Sequence, residues 1–302
     1  MMKQQLTIFG EDQQQDVKKR IVNVSSVSKR SPFRYPGGKT WLIPIVRKWL
    51  KQDKKVATEL IEPFAGGGIV SLTTAFENLA TSITMVEKDE EVAAVWEVVL
   101  NEKNEWLAEK IYNFDLTIDN IKAEFEKTDK QLHDIAFCTI LKNRVFHGGI
   151  ITKGAGLIKN GENGKGIYSR WYPKTLRDRI LAINYIKNKI IFITGDAFDI
   201  IESNKSNKNA YFFIDPPYLA AGKRLYTHYE IDHKKLFELI ATIKGRFMLT
   251  YDDAPEIRML IKQHNLSYRL IPMKTTHHLE KNELIIADNF DWWVEDNLEI
   301  QL

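Results

Sequence analysis

"IEPFAGGGIV", residues 61–70, sets an acid, a proline and three consecutive glycines between two apolar runs. The stretch reads as strand, glycine turn, helix. Before it, "TELIE" (58–62) has the length and apolar content of a short strand. After it, "IVSLTTAFENL" (69–79) spaces Val70, Thr73, Thr74 and Glu77 along one helical face. Glycines at such a junction let the backbone approach a ligand at the carboxyl end of the strand. The dinucleotide fingerprint needs a third glycine three residues after the second. Gly66 and Gly68 supply the first two, but position 71 is Ser71, which disfavours NAD. Glu62 inside the turn repels a pyrophosphate and suits a cation, such as an ammonium or a sulfonium.

Further along, short apolar strands continue to alternate with helical stretches. "SITMVE" (82–87) reads as the second strand, followed by a helix over about Glu90 to Asn101. "IIFITG" (190–195), "YFFID" (211–215) and "RFMLTY" (246–251) follow, each bounded by turn or helix signals. This alternation predicts a mainly parallel sheet covered on both faces. "SYRLIPM" (267–273) and "NELIIAD" (282–288) have no good helix between them and predict an antiparallel pair at one sheet edge. The second strand ends at Glu87, where an acid can accept hydrogen bonds from both hydroxyls of a ribose. Cationic character at Glu62 and a ribose at Glu87 together describe an adenosine without phosphates that carries a positive charge. S-adenosylmethionine fits that description.

"SPFRYPGGKTW" (31–41) contains Gly-Lys-Thr, but a phosphate-binding loop needs glycine where Phe33 stands, so ATP is excluded. Tyr35 and Lys39 are expected to meet the adenosine face and the carboxylate of the ligand instead.

The bulk properties set bounds. The chain has 302 residues, 44% hydrophobic and 27% charged, enough for a sizeable core. Cys138 is the single cysteine, so no intrachain disulfide and no cysteine-rich zinc site can form. No apolar run approaches the roughly 20 residues of a bilayer span, and the N-terminus lacks the apolar core of a signal peptide, so a cytoplasmic location is expected. Residues 1–30 are polar and weakly patterned and are expected to be a disordered tail. Residues 104–189 interrupt the alternation with helices and a glycine-rich basic loop, where an inserted region would sit. From Leu141 to Ile190 eleven bases face two acids, a balance of +9, while the formal net charge of +3 leaves −6 for the rest. A basic segment in an otherwise acidic chain suggests a polyanionic partner.

With these motifs in place, the chain resembles the Dam-like DNA adenine-N6 methyltransferases over roughly residues 31–290. The resemblance rests on "FRYPGGK", "IEPFAGGG", the acid in "MVEKD", "TGDAF" (194–198), "IDPPY" (214–218) and "NELIIAD", in that linear order. It implies a Rossmann-like α/β S-adenosylmethionine-dependent methyltransferase sheet, here residues 31–103 and 190–302, with a mostly helical target-recognition insertion at 104–189. It implies that Tyr35, Lys39, Phe64, Glu87 and Asp196 line the cofactor, beside Glu62, Gly66, Gly68 and Asp215. Tyr35 stands where tryptophan is common and Glu87 where aspartate is common; both keep the chemistry.

Asp215, Pro216, Pro217 and Tyr218 are the expected catalytic group. The exocyclic amine of adenine is a poor nucleophile because its lone pair is delocalised. Asp215 and the Pro216 carbonyl are expected to accept its two hydrogens and localise that pair, the prolines holding the backbone rigid. Tyr218 is expected to stack on a base flipped out of duplex DNA. Cytosine-C5 chemistry uses a cysteine, typically after proline, and Cys138 follows Phe137 within a helical stretch. Cytosine-N4 methylation, RNA adenine methylation and a non-catalytic nucleic-acid-binding module remain the alternatives. Arg144, Arg170, Lys174, Arg177 and Arg179 are the candidate DNA contacts, with Arg144 and Arg170 expected to read bases. His277 and His278 are adjacent, unlike a helical zinc pair, and no metal site is expected. Trp292 and Trp293 are expected to pack. A companion restriction endonuclease is the expected partner if the chain works in a restriction-modification pair.

Overall fold

The computed structural model describes residues 27–35, 37–53, 56–152, 154–219, 228, 230–274 and 280–293. The expected tail over residues 1–30 falls mostly outside these, as do His277 and His278.

Seven strands form one sheet: β1 (Ala57–Glu62), β2 (Ala80–Glu87), β3 (Ile190–Thr194), β4 (Ala210–Ile214), β5 (Arg246–Asp252), β6 (Ser267–Lys274) and β7 (Glu280–Ala287). Their order is β3-β2-β1-β4-β5-β7-β6, with β7 antiparallel to both neighbours and the other pairings parallel. The expected antiparallel pair forms, with β7 slotted between β5 and the edge strand β6. All of β4 is buried because helices cover both faces. Successive side chains divide between two cores. Leu60 and Phe213 point into one, Ile61 and Phe212 into the other.

The first core lies under α1 (Ile43–Leu50), α2 (Ile69–Phe76) and α3 (Glu90–Val99) and is centred on Trp49 and Trp96. The second lies under α8 (Ala197–Asn204), α9 (His233–Ile240) and α10 (Pro255–Gln263), with Phe237 and Tyr251 fully enclosed. The α2 helix stops short of the expected Leu79 because Asn78 turns left-handed (φ 52°), a common helix ending.

Between α3 and β3 come α4 (Asn104–Tyr112), α5 (Ile118–Glu126), α6 (Leu132–Val145), a looped stretch with 3-10 turns, and α7 (Pro173–Ala182). The long α6 packs on α3, and α4 packs on α7. Leu107, Phe137, Ile140 and Ile180 belong to the same continuous apolar cluster as Leu60 and Val70 of the sheet layer. The helices between α3 and β3 are thus fastened to the sheet layer by shared core. Trp292 is buried as expected, against Phe290 and Trp293. No helix among the described residues is long and apolar enough to cross a membrane.

The chain runs from β1 outward through β2 to β3, then returns to start β4 on the other side of β1. That reversal opens a crevice at the carboxyl ends of β1 and β4, the usual ligand position in open α/β sheets.

Candidate active site

A cavity of about 1060 Å³ occupies this crevice. Tyr35, Lys39, Glu62, Phe64, Gly66, Gly68, Glu87, Asp196 and Asp215 all line it, as does Pro217. Pro216 is buried, and neither it nor Tyr218 is among the residues lining the cavity. The insertion supplies part of the wall through Asn143, the His147–Ile151 stretch and Arg179.

The glycine turn is shaped by close packing. Gly68, the residue before α2, has φ 60°, and a Cβ there would lie 2.7 Å from Trp96 and 2.8 Å from Met85. Any side chain is therefore strained in conformation and crowded against the core. The Tyr35 ring covers the turn, since a Cβ on Gly66 would sit 2.6 Å from the ring. Glu62 ends β1 and is buried, with one carboxylate oxygen taking both the backbone N–H (2.9 Å) and the hydroxyl of Ser71. Ser71 occupies the position where a dinucleotide site has glycine; its actual work is to hold this acid. Burial pushes the Glu62 carboxyl up to about 8, against the Ser71 bonds, with the nearby charges of Asp215 and Glu87 adding to the rise.

Glu87 ends β2. One oxygen accepts from Gly66 N (2.8 Å), the other from Lys88 N and Asp89 N (2.9 Å each). A carboxylate has about four lone-pair positions, so roughly one is left for a ligand rather than a full set for two hydroxyls. Burial raises the Glu87 carboxyl to about 7 despite these donors. Asp196 caps α8 through Phe198 N (2.8 Å) and pairs with Lys88 (2.8 Å).

Asp215 follows β4 directly. The register of β4 and β5 sets Ile214 opposite Leu249, which brings the next residues, Asp215 and Thr250, side by side. The Thr250 hydroxyl donates to Asp215 Oδ1 at 2.6 Å, and Lys39 Nζ lies 2.9 Å from Oδ2. Lys39 is 3% exposed and also donates to the Gly37 carbonyl at 2.7 Å. The expected partner of Lys39 was a ligand carboxylate; the structure pairs it with Asp215, so any ligand acid has to share it. Tyr218 is stacked on Tyr251 (5.6 Å between centroids, 26° between planes), with Lys39 Nζ 5.0 Å from its ring centre. Its hydroxyl donates to buried Glu283 on β7 at 3.4 Å. Thr250, Tyr251 and Glu283 escaped sequence reasoning. Their one signal is polarity inside otherwise apolar strands, and that signal needs the register before it means anything.

The expected DNA contacts fare differently from one another. Arg144 is 4% exposed, and its guanidinium donates to the Pro32 carbonyl. It cannot reach a groove without leaving the core, so the base-reading expectation for it is corrected. Arg179 donates to the Ser31 carbonyl at 3.2 Å and faces the cavity. Arg170 is half-buried beside α7. Arg177 pairs with Glu109 (2.6 Å), and Lys174 is exposed beside Asp178 (2.9 Å). Charge balance counts all these bases alike, whereas burial separates the bracing ones from the exposed ones.

The strand order, the reversed β7 and a cavity at the carboxyl ends of β1 and β4 define a Rossmann-like α/β sheet with its candidate site at the switch point. The family described as D12 class N6 adenine-specific DNA methyltransferase matches residues 35–279, and the chain belongs to it. It is 25% identical over 276 residues to a DNA N-6-adenine-methyltransferase of Escherichia phage P1, matching 85% of this chain. The chain spans about a third, 34%, of that relative's length. Among solved structures it is similar to the rRNA methyltransferase aviRa from Streptomyces viridochromogenes (13% identity, TM-score 0.38, 84% of this chain and 86% of that one). It is also similar to a precorrin-6y C5,15-methyltransferase from Geobacter metallireducens (10% identity, TM-score 0.35, 84% and 92%).

The hydroxyl of Thr250 can be removed with little change of shape. Thr250→Val is expected to lower the rate of methyl transfer roughly 10- to 150-fold, about 1.5–3 kcal/mol, the size of one hydrogen bond to a charged group. Cofactor affinity is expected to hold. Single-turnover kinetics beside calorimetry checks both.

Proposed function

We propose that this chain methylates the N6 amine of adenine in duplex DNA with S-adenosylmethionine as donor. The observation that carries the reading is Asp215, fixed between Lys39 and Thr250 in one cavity with the glycine turn, Glu62 and Glu87. The cavity suits a cationic nucleoside: an aromatic cover at Tyr35, an acid at the end of β1 and an acid at the end of β2. Its volume exceeds that of most single-ligand sites, leaving room for an extruded base beside the donor.

When bound, S-adenosylmethionine supplies an electrophilic methyl group. The chain does the rest by orientation. Lys39 and Thr250 fix both oxygens of Asp215 before the base arrives, so its remaining lone pairs are aimed at no reorganisation cost. Asp215 and the Pro216 carbonyl accept the two amine hydrogens and turn the nitrogen lone pair out of conjugation. Tyr218, backed by Tyr251, offers a ring for the base. Asp215 need not take the proton fully before the amine attacks. No residue has to form a covalent bond, and Cys138 is unsuited to one, since burial pushes its thiol up to about 11. Extrusion of the base exposes the amine, which the duplex otherwise hides. The insertion would hold the duplex, with exposed Lys174 and the exposed Tyr168 and Tyr172 on its outer face. The test is transfer of labelled methyl to unmethylated duplex DNA, with modification-detecting sequencing to place the mark. Label in cytosine, or in RNA alone, would reject the reading.

Two expectations concern the donor. Glu87→Ala is expected to weaken cofactor binding by roughly 1–3 kcal/mol, because it removes a charged acceptor and frees the Gly66 N–H from its anchor. Unchanged affinity by calorimetry would take Glu87 out of the ligand site. The second expectation is a pH dependence. The raised carboxyls of Glu62 and Glu87 mean that the ligand-free fold binds more protons than the unfolded chain above the ordinary value of 4.5. Their contribution to stability is therefore full below about 4.5 and falls as pH rises through 7 and 8. A cationic ligand prefers the ionised acids, so its affinity is expected to rise over the same window. Titrations between pH 6 and 8.5 should show this rise, and Glu62→Gln should remove its upper part while leaving the part due to Glu87.

A further inference from the structure

The segment carrying Tyr35 and Lys39 is held from the insertion. Asn143, in the last turn of α6, is 1% exposed. Its carbonyl accepts the Arg34 N–H at 2.8 Å, and its amide donates to the Arg34 carbonyl at 3.0 Å and to the Gly149 carbonyl at 2.8 Å. One side chain thus satisfies both backbone groups of Arg34, as a neighbouring strand would, and ties them to the loop after α6. Gly149 lies against the same place. Its φ is 75°, and a Cβ there would come 2.8 Å from the Arg34 carbonyl. Upstream, Arg144 and Arg179 take the carbonyls of Pro32 and Ser31, and the Ser31 hydroxyl donates to Gly67 of the glycine turn. Downstream, Gly38 N closes a turn onto the Tyr35 carbonyl (3.1 Å), and Lys39 reaches Asp215.

Hydrogen bonds and chain neighbours together therefore connect the loop at His147–Ile151, through Asn143 and Arg34, to the cover of the glycine turn and to the catalytic carboxylate. One buried amide thus binds two backbone groups of Arg34 and the loop after α6 at a single joint. A change in the loop's position cannot occur without moving Arg34 or breaking these bonds. We infer that Asn143 is a positioning residue that couples duplex DNA seated on the insertion to the cofactor cavity, so that each ligand tightens the other. This inference rests on the DNA-methylating reading above. It assigns Asn143 and Gly149, which also line the cavity, a role beyond that of wall residues. Reciprocity requires the factor by which DNA improves cofactor affinity to equal the factor by which cofactor improves DNA affinity.

The experiment measures the dissociation constant of S-adenosylhomocysteine, which cannot turn over, with and without a saturating duplex carrying the mapped site. The proteins are the full chain, Asn143→Ala and Gly149→Ala. The wild type is expected to show a coupling factor of about five or more. Both variants are expected to fall to within twofold of one in this factor, whatever loss of single-ligand affinity accompanies it. A purely structural role would weaken each ligand singly and leave the factor intact; that result overturns the inference. If either variant fails to fold, hydrogen exchange on the wild type decides. Duplex alone is expected to slow exchange at the Arg34 amide, and unchanged exchange there overturns the coupling. A wild type that methylates no duplex overturns the reading beneath; one that methylates duplex but shows no coupling overturns this inference alone.

Discussion

Asp215→Ala is expected to lower the methyl-transfer rate by about three orders of magnitude, roughly 3–5 kcal/mol of barrier, the scale of a single preorganised polar group in an active site. The reason is visible in its surroundings. The carboxylate is already held by the Thr250 hydroxyl and the Lys39 ammonium, so its position costs nothing further at the moment of reaction. Removing it also leaves Lys39, 3% exposed, with a buried charge that has lost its carboxylate partner, and some stability goes with it. Asp215→Asn separates these effects. The asparagine carbonyl remains an acceptor, so the rate should fall less than in the alanine variant. Cofactor affinity should stay within a few-fold of wild type in both. Single-turnover transfer and calorimetry, run on protein shown to be folded, provide the measurement. Activity within tenfold of wild type in Asp215→Ala would remove this residue from the mechanism.

The second large effect is on stability. Arg144→Ala is expected to cost about 2–4 kcal/mol of folding free energy, with cofactor binding weakened alongside. The side chain fills core space and satisfies the Pro32 carbonyl; its loss leaves a cavity and a buried acceptor unpaired. The salt dependence of DNA binding should not change, because no phosphate contact is lost. Lys174→Ala is the contrast. It sits exposed on α7, so stability should be untouched, while the salt slope should fall by about one if it meets a phosphate. Urea unfolding together with binding at two salt concentrations reads both outcomes. The Arg144 expectation fails if that variant keeps wild-type stability while losing sequence preference on DNA.

Local order and chemistry were legible in the chain before any contact was known. The seven strands, and the helices that follow β1 and β2, lie where apolar runs and glycine turns place them, because a parallel sheet covered on both faces demands unbroken apolar strands. The acids at 62, 87 and 215 could be found because each closes such a run, and the carboxyl ends of strands are where an open sheet binds its ligand. Register and burial were another matter. Thr250 is an unremarked strand residue until β5 pairs with β4 and sets it beside Asp215. Glu283 matters only because β7 enters between β5 and β6, which no local pattern announces. That Lys39 attracts an anion is a property of its charge; that the anion is Asp215 is a property of the fold. The basic balance of the insertion pointed to a polyanion, but charge is counted without regard to depth. Arg144 and Arg179 contribute to that count and spend their donors on the backbone of residues 31 and 32. The sequence by itself determined which chemical groups are present and the order in which strands carry them. Only the tertiary structure decided which of those groups face one another, because pairing between distant segments depends on register and packing that no local spacing encodes.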